Sequence, residues 1–173
     1  MCAAIVRASY ASGVGPTLAN AETGAKYNLE ETLAGSTTPV SVPTATGTNF
    51  SWSKTFRLEV TTLDAATSLT NLRHNISAAP ATGMKLWFRN DATTYARSTA
   101  VAAASSGTND STPAGYTAAP TTATVYDAGS FPASSVGGKG SYLSLTLGVS
   151  NLYAGGGGSA IALPSLLLIY DEI

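Results

Sequence analysis

A two-residue alternation of apolar and polar side chains limits this chain's fold more than any other feature. In Phe50-Ser51-Trp52-Ser53-Lys54-Thr55-Phe56-Arg57-Leu58-Glu59-Val60 every even position is apolar except Lys54, and every odd position is polar. Successive side chains of a strand point to opposite faces, so the pattern predicts a strand with one face in a core and one toward water. Residues 141–150 repeat it, with Leu143, Leu145, Leu147 and Val149 alternating with Tyr142, Ser144, Thr146 and Gly148. Residues 84–89 predict a third strand, with Met84, Leu86 and Phe88 on one face and Trp87 on the other. Residues 69–77, with Leu72, His74 and Ile76 on one face, 95–103 and 122–127 are further candidates. The closing run Leu166-Leu167-Leu168-Ile169-Tyr170 is apolar on both faces, which predicts a central strand covered on both sides.

Turn residues punctuate these runs: Pro80-Ala81-Thr82-Gly83, Asn90-Asp91, Ser106-Gly107-Thr108-Asn109-Asp110, Pro113-Ala114-Gly115, Gly137-Gly138 and the Gly155-Gly156-Gly157-Gly158 stretch. Short strands between such turns predict an all-β fold, an antiparallel sandwich of jelly-roll or immunoglobulin-like type. Leu63, Ala66, Leu69 and Leu72 recur every third residue and leave a short helix open there, although Thr, Asn and Ser make a poor helix interior. The first 48 residues read differently: short apolar islands separated by Gly and Pro, then Thr37-Thr38-Pro39-Val40-Ser41-Val42-Pro43-Thr44, where proline favours extended backbone. This divides the chain into an extended N-terminal arm, 1–48, and a sandwich domain, 49–173. The arm is expected to lie along a surface, either another subunit's or its own domain's. Tyr27, Leu29, Leu33, Val40 and Val42 on the arm, with Trp87, are the candidate interface residues.

Composition narrows the function. Charged residues are 11% of the chain and the net charge is −1. The nine Lys and Arg are scattered, which argues against nucleic acid held by phosphate contacts. No segment approaches the ~20 apolar residues of a membrane span, and 1–10 lacks the basic and apolar regions of a secretory signal. The sequons at Asn49, Asn75 and Asn109 carry little weight without such a signal, and the lone Cys2 excludes an internal disulfide. The expectation is a soluble chain made in a cytoplasm, with no membrane or nucleic-acid partner, no cofactor and no metal.

The chemistry-bearing patterns are sparse. Ser51-x-x-Lys54 has a nucleophile–base spacing, but on a strand residues three apart point to opposite faces. His74 is the only imidazole, and no Gly-x-Ser-x-Gly elbow accompanies it, so a packed structural histidine is the plainer reading. The four-glycine run lacks the Lys-Ser/Thr of a phosphate loop and reads as a loop tip. The pairs Glu30-Glu31 and Asp171-Glu172 lack the spacing of a Ca²⁺ loop and read as solvated charges. Trp52 and Trp87 suit either packing, within the core or at a subunit interface, or a sugar-stacking platform. No catalytic residue is assigned, and an enzyme is not expected.

The order of the pieces carries a resemblance. The stretch from Thr37 to Lys54 leading into Phe56-Arg57-Leu58, then Thr70-Asn71-Leu72-Arg73, then the closing Leu168-Ile169-Tyr170-Asp171-Glu172-Ile173, resembles minor structural proteins of tailed bacteriophages, most of all capsid cement or decoration proteins. That resemblance implies a β-rich, homotrimeric, non-enzymatic protein on the capsid exterior, with the major capsid protein as partner. A tail, neck or fibre component, or a carbohydrate-binding or adhesin module, are the alternatives.

Overall fold

The computed structural model describes residues 5–21, 26–32, 38–62, 68–92, 94–103, 107–132, 138–155 and 163–173. Its strands are β1 (Ile5–Ser12), β2 (Thr17–Asn20), β3 (Thr48–Phe50), β4 (Lys54–Thr62), β5 (Ser68–Ile76), β6 (Met84–Ala92), β7 (Thr117–Ala118), β8 (Thr124–Pro132), β9 (Tyr142–Ser150) and β10 (Leu166–Glu172). All pairings between strands are antiparallel, and no helix occurs among the described residues. A seven-stranded sheet runs β2-β1-β4-β9-β6-β7, with β3 also paired to β9, and a three-stranded sheet runs β10-β5-β8. The fold is an all-β antiparallel sandwich, as the alternation predicts.

The core lies between the sheets. Phe56, Leu58 and Val60 of β4, Leu143 and Leu145 of β9 and Tyr10 of β1 pack against Leu69, Leu72 and Tyr126 of the smaller sheet. A second cluster joins Ile76 of β5 to Met84 and Leu86 of β6 and Leu147 and Val149 of β9. The predicted strand over 50–60 is broken in two. β3 pairs with 148–150 and β4 with 143–145 along the same edge of β9, and Ser51 bridges the gap. The Ser51 N–H bonds the Leu147 carbonyl (2.8 Å), and its hydroxyl oxygen accepts from the Leu147 N–H (2.9 Å).

The structure corrects two readings of coverage. β9 is buried at all nine positions rather than half-buried. Its polar face is roofed by chain from 94–103: Ser53 N–H donates to Thr99 O (3.0 Å) and the Thr55 hydroxyl to Ala96 O (2.7 Å). Thr55 and Ser144 share a hydrogen bond beneath that roof, as do Ser51 and Thr146. Small hydroxyl side chains are buried at little cost once each finds a partner. Residues 95–103, a candidate strand, serve as this roof instead. β10, by contrast, is an edge strand and not the covered central one. Polarity along a strand does not report what lies on top of it.

The N-terminal boundary also changes. Part of the expected arm, 5–20, is the β1–β2 hairpin, with β1 bonded to β4 from Ile5↔Thr62 to Ala11↔Thr55. Its alternation is faint because Ala8 takes a core-facing position between Val6 and Tyr10, and Ala11 puts an apolar side chain on the opposite face beside Ser9. Residues 26–32 and 38–47 are extended, irregular chain laid on this same domain. The Trp52 N–H bonds the Asn28 carbonyl (2.8 Å), and the Leu29 N–H bonds the Thr38 carbonyl (3.1 Å). The three-residue spacing of Leu69 and Leu72 is not helical. Asn71 sits in the left-handed region (φ 56°) at a bulge, and that extra residue resets the phase so that both leucines point inward. Leu63 and Ala66 lie outside the described residues.

Candidate interaction surface

The outer face of the smaller sheet follows from its register. With Leu69, Leu72, His74 and Ile76 of β5 buried, the intervening Asn71, Arg73 and Asn75 face away from the core. Ile169 of β10 and Val125 of β8 both pair with Arg73, and Leu167 pairs with Asn75. Val125 is 46% exposed, Leu167 43% and the adjoining Ile173 68%. Among the described residues, these large apolar groups are left open to solvent on a sheet whose other face is packed. Asp171 is gripped at the bulge by Asn71 Nδ2 (2.7 Å) and by the Arg73 guanidinium. The polar row of β5 thus runs between exposed apolar side chains of the flanking strands, Val125 of β8 on one side and Leu167 and Ile173 of β10 on the other, a mixed surface suited to contact with another protein.

The expected interface residues are placed differently. Tyr27, Val40 and Val42 are half-buried against the second core cluster, with Tyr27 also touching the first. Burial pushes the Tyr27 phenol far above its ordinary range. Leu29 alone of the arm positions is exposed, and Leu33 lies outside the described residues. Trp87 is a correction. It is only 6% exposed, packed with Phe50 and Tyr116 under Val101 and Ala103. Its edge borders a cleft of about 260 Å³ also lined by Lys85, Asp110 and Gly148, and the Lys85–Asp110 ion pair lies at that cleft. The ring is therefore not a free platform for a sugar. The roof over β9, invisible in the local pattern, buries it.

The remaining chemical candidates resolve into separate environments. Ser51 bonds Thr146 and the Leu147 backbone, while Lys54 points to the opposite face, so the two do not meet. His74 lies between the sheets, its ring centroid 4.1 Å from that of Phe88 and 5.6 Å from that of Tyr126. Burial lowers its pKa against a weak opposing effect of the Thr124 backbone, and neither ring nitrogen has a hydrogen-bond partner of normal geometry. Glu31 is not simply solvated: it binds Arg97 (2.9 Å) and the Gly13 N–H (2.6 Å), and the Arg97 hydrogen bond leads in holding its carboxyl below the usual range. Glu30 accepts the Thr38 hydroxyl (2.6 Å). Of the glycine run, Gly155 alone is described. Among the described residues no three His, Cys, Asp or Glu side chains converge on a point where a metal ion could sit.

Sequence reasoning missed the exposure of Leu167 because it took the 166–170 apolar run for a covered strand, whereas β10 is a sheet edge. No family model, no curated protein and no solved structure matches this chain.

Proposed function

We propose that this protein is a non-enzymatic cement or decoration protein that binds the assembled major capsid protein shell of a tailed bacteriophage and stabilises it. The observation that carries a binding role is the open outer face of the smaller sheet, where Val125, Leu167 and Ile173 stay exposed on a low-charge sandwich. Neutral, small-residue surfaces can lie against a neighbour without stranding unpaired charge. The choice of a capsid as partner rests on the sequence resemblance. A protein that binds only the assembled shell stabilises it by mass action. Copies joined as a homotrimer around a symmetry axis would add avidity to modest individual contacts.

Co-sedimentation with purified shells tests this reading. Saturation at a symmetry-related stoichiometry, with a rise in the shell's disruption temperature, is the expected result. Binding to tails alone, or to no particle, overturns it.

A further inference from the structure

The one apolar position of the 50–60 alternation held by a charged residue is Lys54, and its surroundings are unusual. It starts β4 on the core-facing side, opposite Leu145, and is fully buried. Its Nζ donates to Asn28 Oδ1 (2.9 Å), to the Thr32 carbonyl (3.0 Å) and to the Glu30 carbonyl. Asn28 is itself 2% exposed. Its backbone is fixed by the Trp52 N–H on its carbonyl and by a bridge to Pro39. Its side-chain oxygen also accepts the Glu30 N–H (3.1 Å). A primary amine and a carboxamide are thus held together away from water, with a backbone N–H already on the amide oxygen.

We propose that Lys54 and Asn28 are a self-modification site, at which Lys54 Nζ attacks Asn28 Cγ and joins the two side chains through an isopeptide bond. The Nζ–Cγ bond forms and the Cγ–Nδ2 bond breaks. The proton lost by the amine passes to the departing nitrogen, which leaves as ammonia, so no oxidant or energy source is consumed. Three features favour this step. Fixed proximity removes the entropic cost of bringing the groups together. The Glu30 N–H is aimed at the oxygen where negative charge develops in the tetrahedral intermediate. Burial brings the Lys54 amine down to about 8, against the opposing charges of Glu30 and Glu31. About a tenth of the lysine is then unprotonated at neutral pH and able to act as the nucleophile. The bond would tie the 26–32 segment covalently to β4.

The test is mass spectrometry of the purified full-length protein after incubation in mildly alkaline buffer. The expected wild-type mass is one ammonia below that of the sequence. Proteolysis should yield one branched peptide containing both residues 28 and 54, with fragment ions placing the link between them. Lys54→Arg and Asn28→Ala should each keep full mass. A wild-type protein at full mass with no branched peptide overturns the assignment. So does an ammonia loss that persists in Lys54→Arg, which would be cyclisation of another asparagine. The wild-type peptide map decides the question even if a variant fails to fold.

Discussion

His74→Leu is expected to stabilise the protein, and increasingly so in acid. The wild-type ring is fully buried against Phe88 and Tyr126, and neither nitrogen has a hydrogen-bond partner of normal geometry. A buried polar group without a partner costs about 1–3 kcal/mol, while an edge-on aromatic contact returns about 0.5–1.5 kcal/mol. Leucine, of similar volume, should therefore gain on the order of 1 kcal/mol near neutral pH, where the imidazole is uncharged in both states. Acid adds a second effect. Because burial lowers the folded pKa below the ordinary 6.5, the unfolded chain takes up the proton first. The neutral-histidine contribution is intact above 6.5 and is lost as the pH falls from there toward the folded value. One proton changes stability by at most about 1.4 kcal/mol per pH unit, so about 2 kcal/mol is the ceiling between roughly pH 7.5 and pH 5. The difference between the two proteins isolates this effect because the chain has a single histidine and the Lys54 amine, lowered to about 8, is common to both. The lowered carboxyls of Glu31 and Glu59 keep their full contribution down to the ordinary 4.5 and lose it only in stronger acid. Urea unfolding followed by tryptophan fluorescence, at several pH values in this window, measures both proteins. Parallel pH curves, or a variant less stable than wild type at the acid end, would refute the reasoning.

Gly83→Ala should be among the most damaging single substitutions. Gly83 has φ +80°, and a Cβ there would lie 2.3 Å from Tyr153 N and 2.6 Å from Leu152 C, both backbone atoms. The left-handed conformation alone costs roughly 1–2 kcal/mol, so a melting temperature within a degree or two of wild type would contradict the local geometry. Thr146→Val keeps the shape but strands the Ser51 carbonyl, now bonded at 2.8 Å, and should cost about 1–3 kcal/mol by denaturant titration. Leu167→Lys lies on the open outer face of the smaller sheet and should leave folding stability within about 0.5 kcal/mol while weakening retention on purified shells. Undiminished retention would remove this face from the interface.

Local side-chain polarity made much of this fold legible in the sequence, because a strand's period of two is set by the backbone alone. The alternations at 50–60, 84–89 and 141–150 announced β4, β6 and β9, and Leu72, His74 and Ile76 were correctly assigned to one face. Positions filled by alanine carried no such signal, so β1 went unseen. The site was harder to read. Lys54 stood out only as a break in a pattern, since Asn28 lies 26 residues away and only chain closure brings it within 2.9 Å. Likewise, Ser144, Thr146 and Trp87 looked solvent-facing until the 94–103 segment folded over them, and Leu167 looked covered until β10 proved to be an edge. The amino-acid sequence by itself determined the strands whose side chains alternate strongly, β4, β6 and β9, and which face of each is apolar, since those depend on neighbours one or two residues away. Only the tertiary structure decided which faces are buried, which edge stays open and which distant groups meet, because coverage depends on segments far away in the chain.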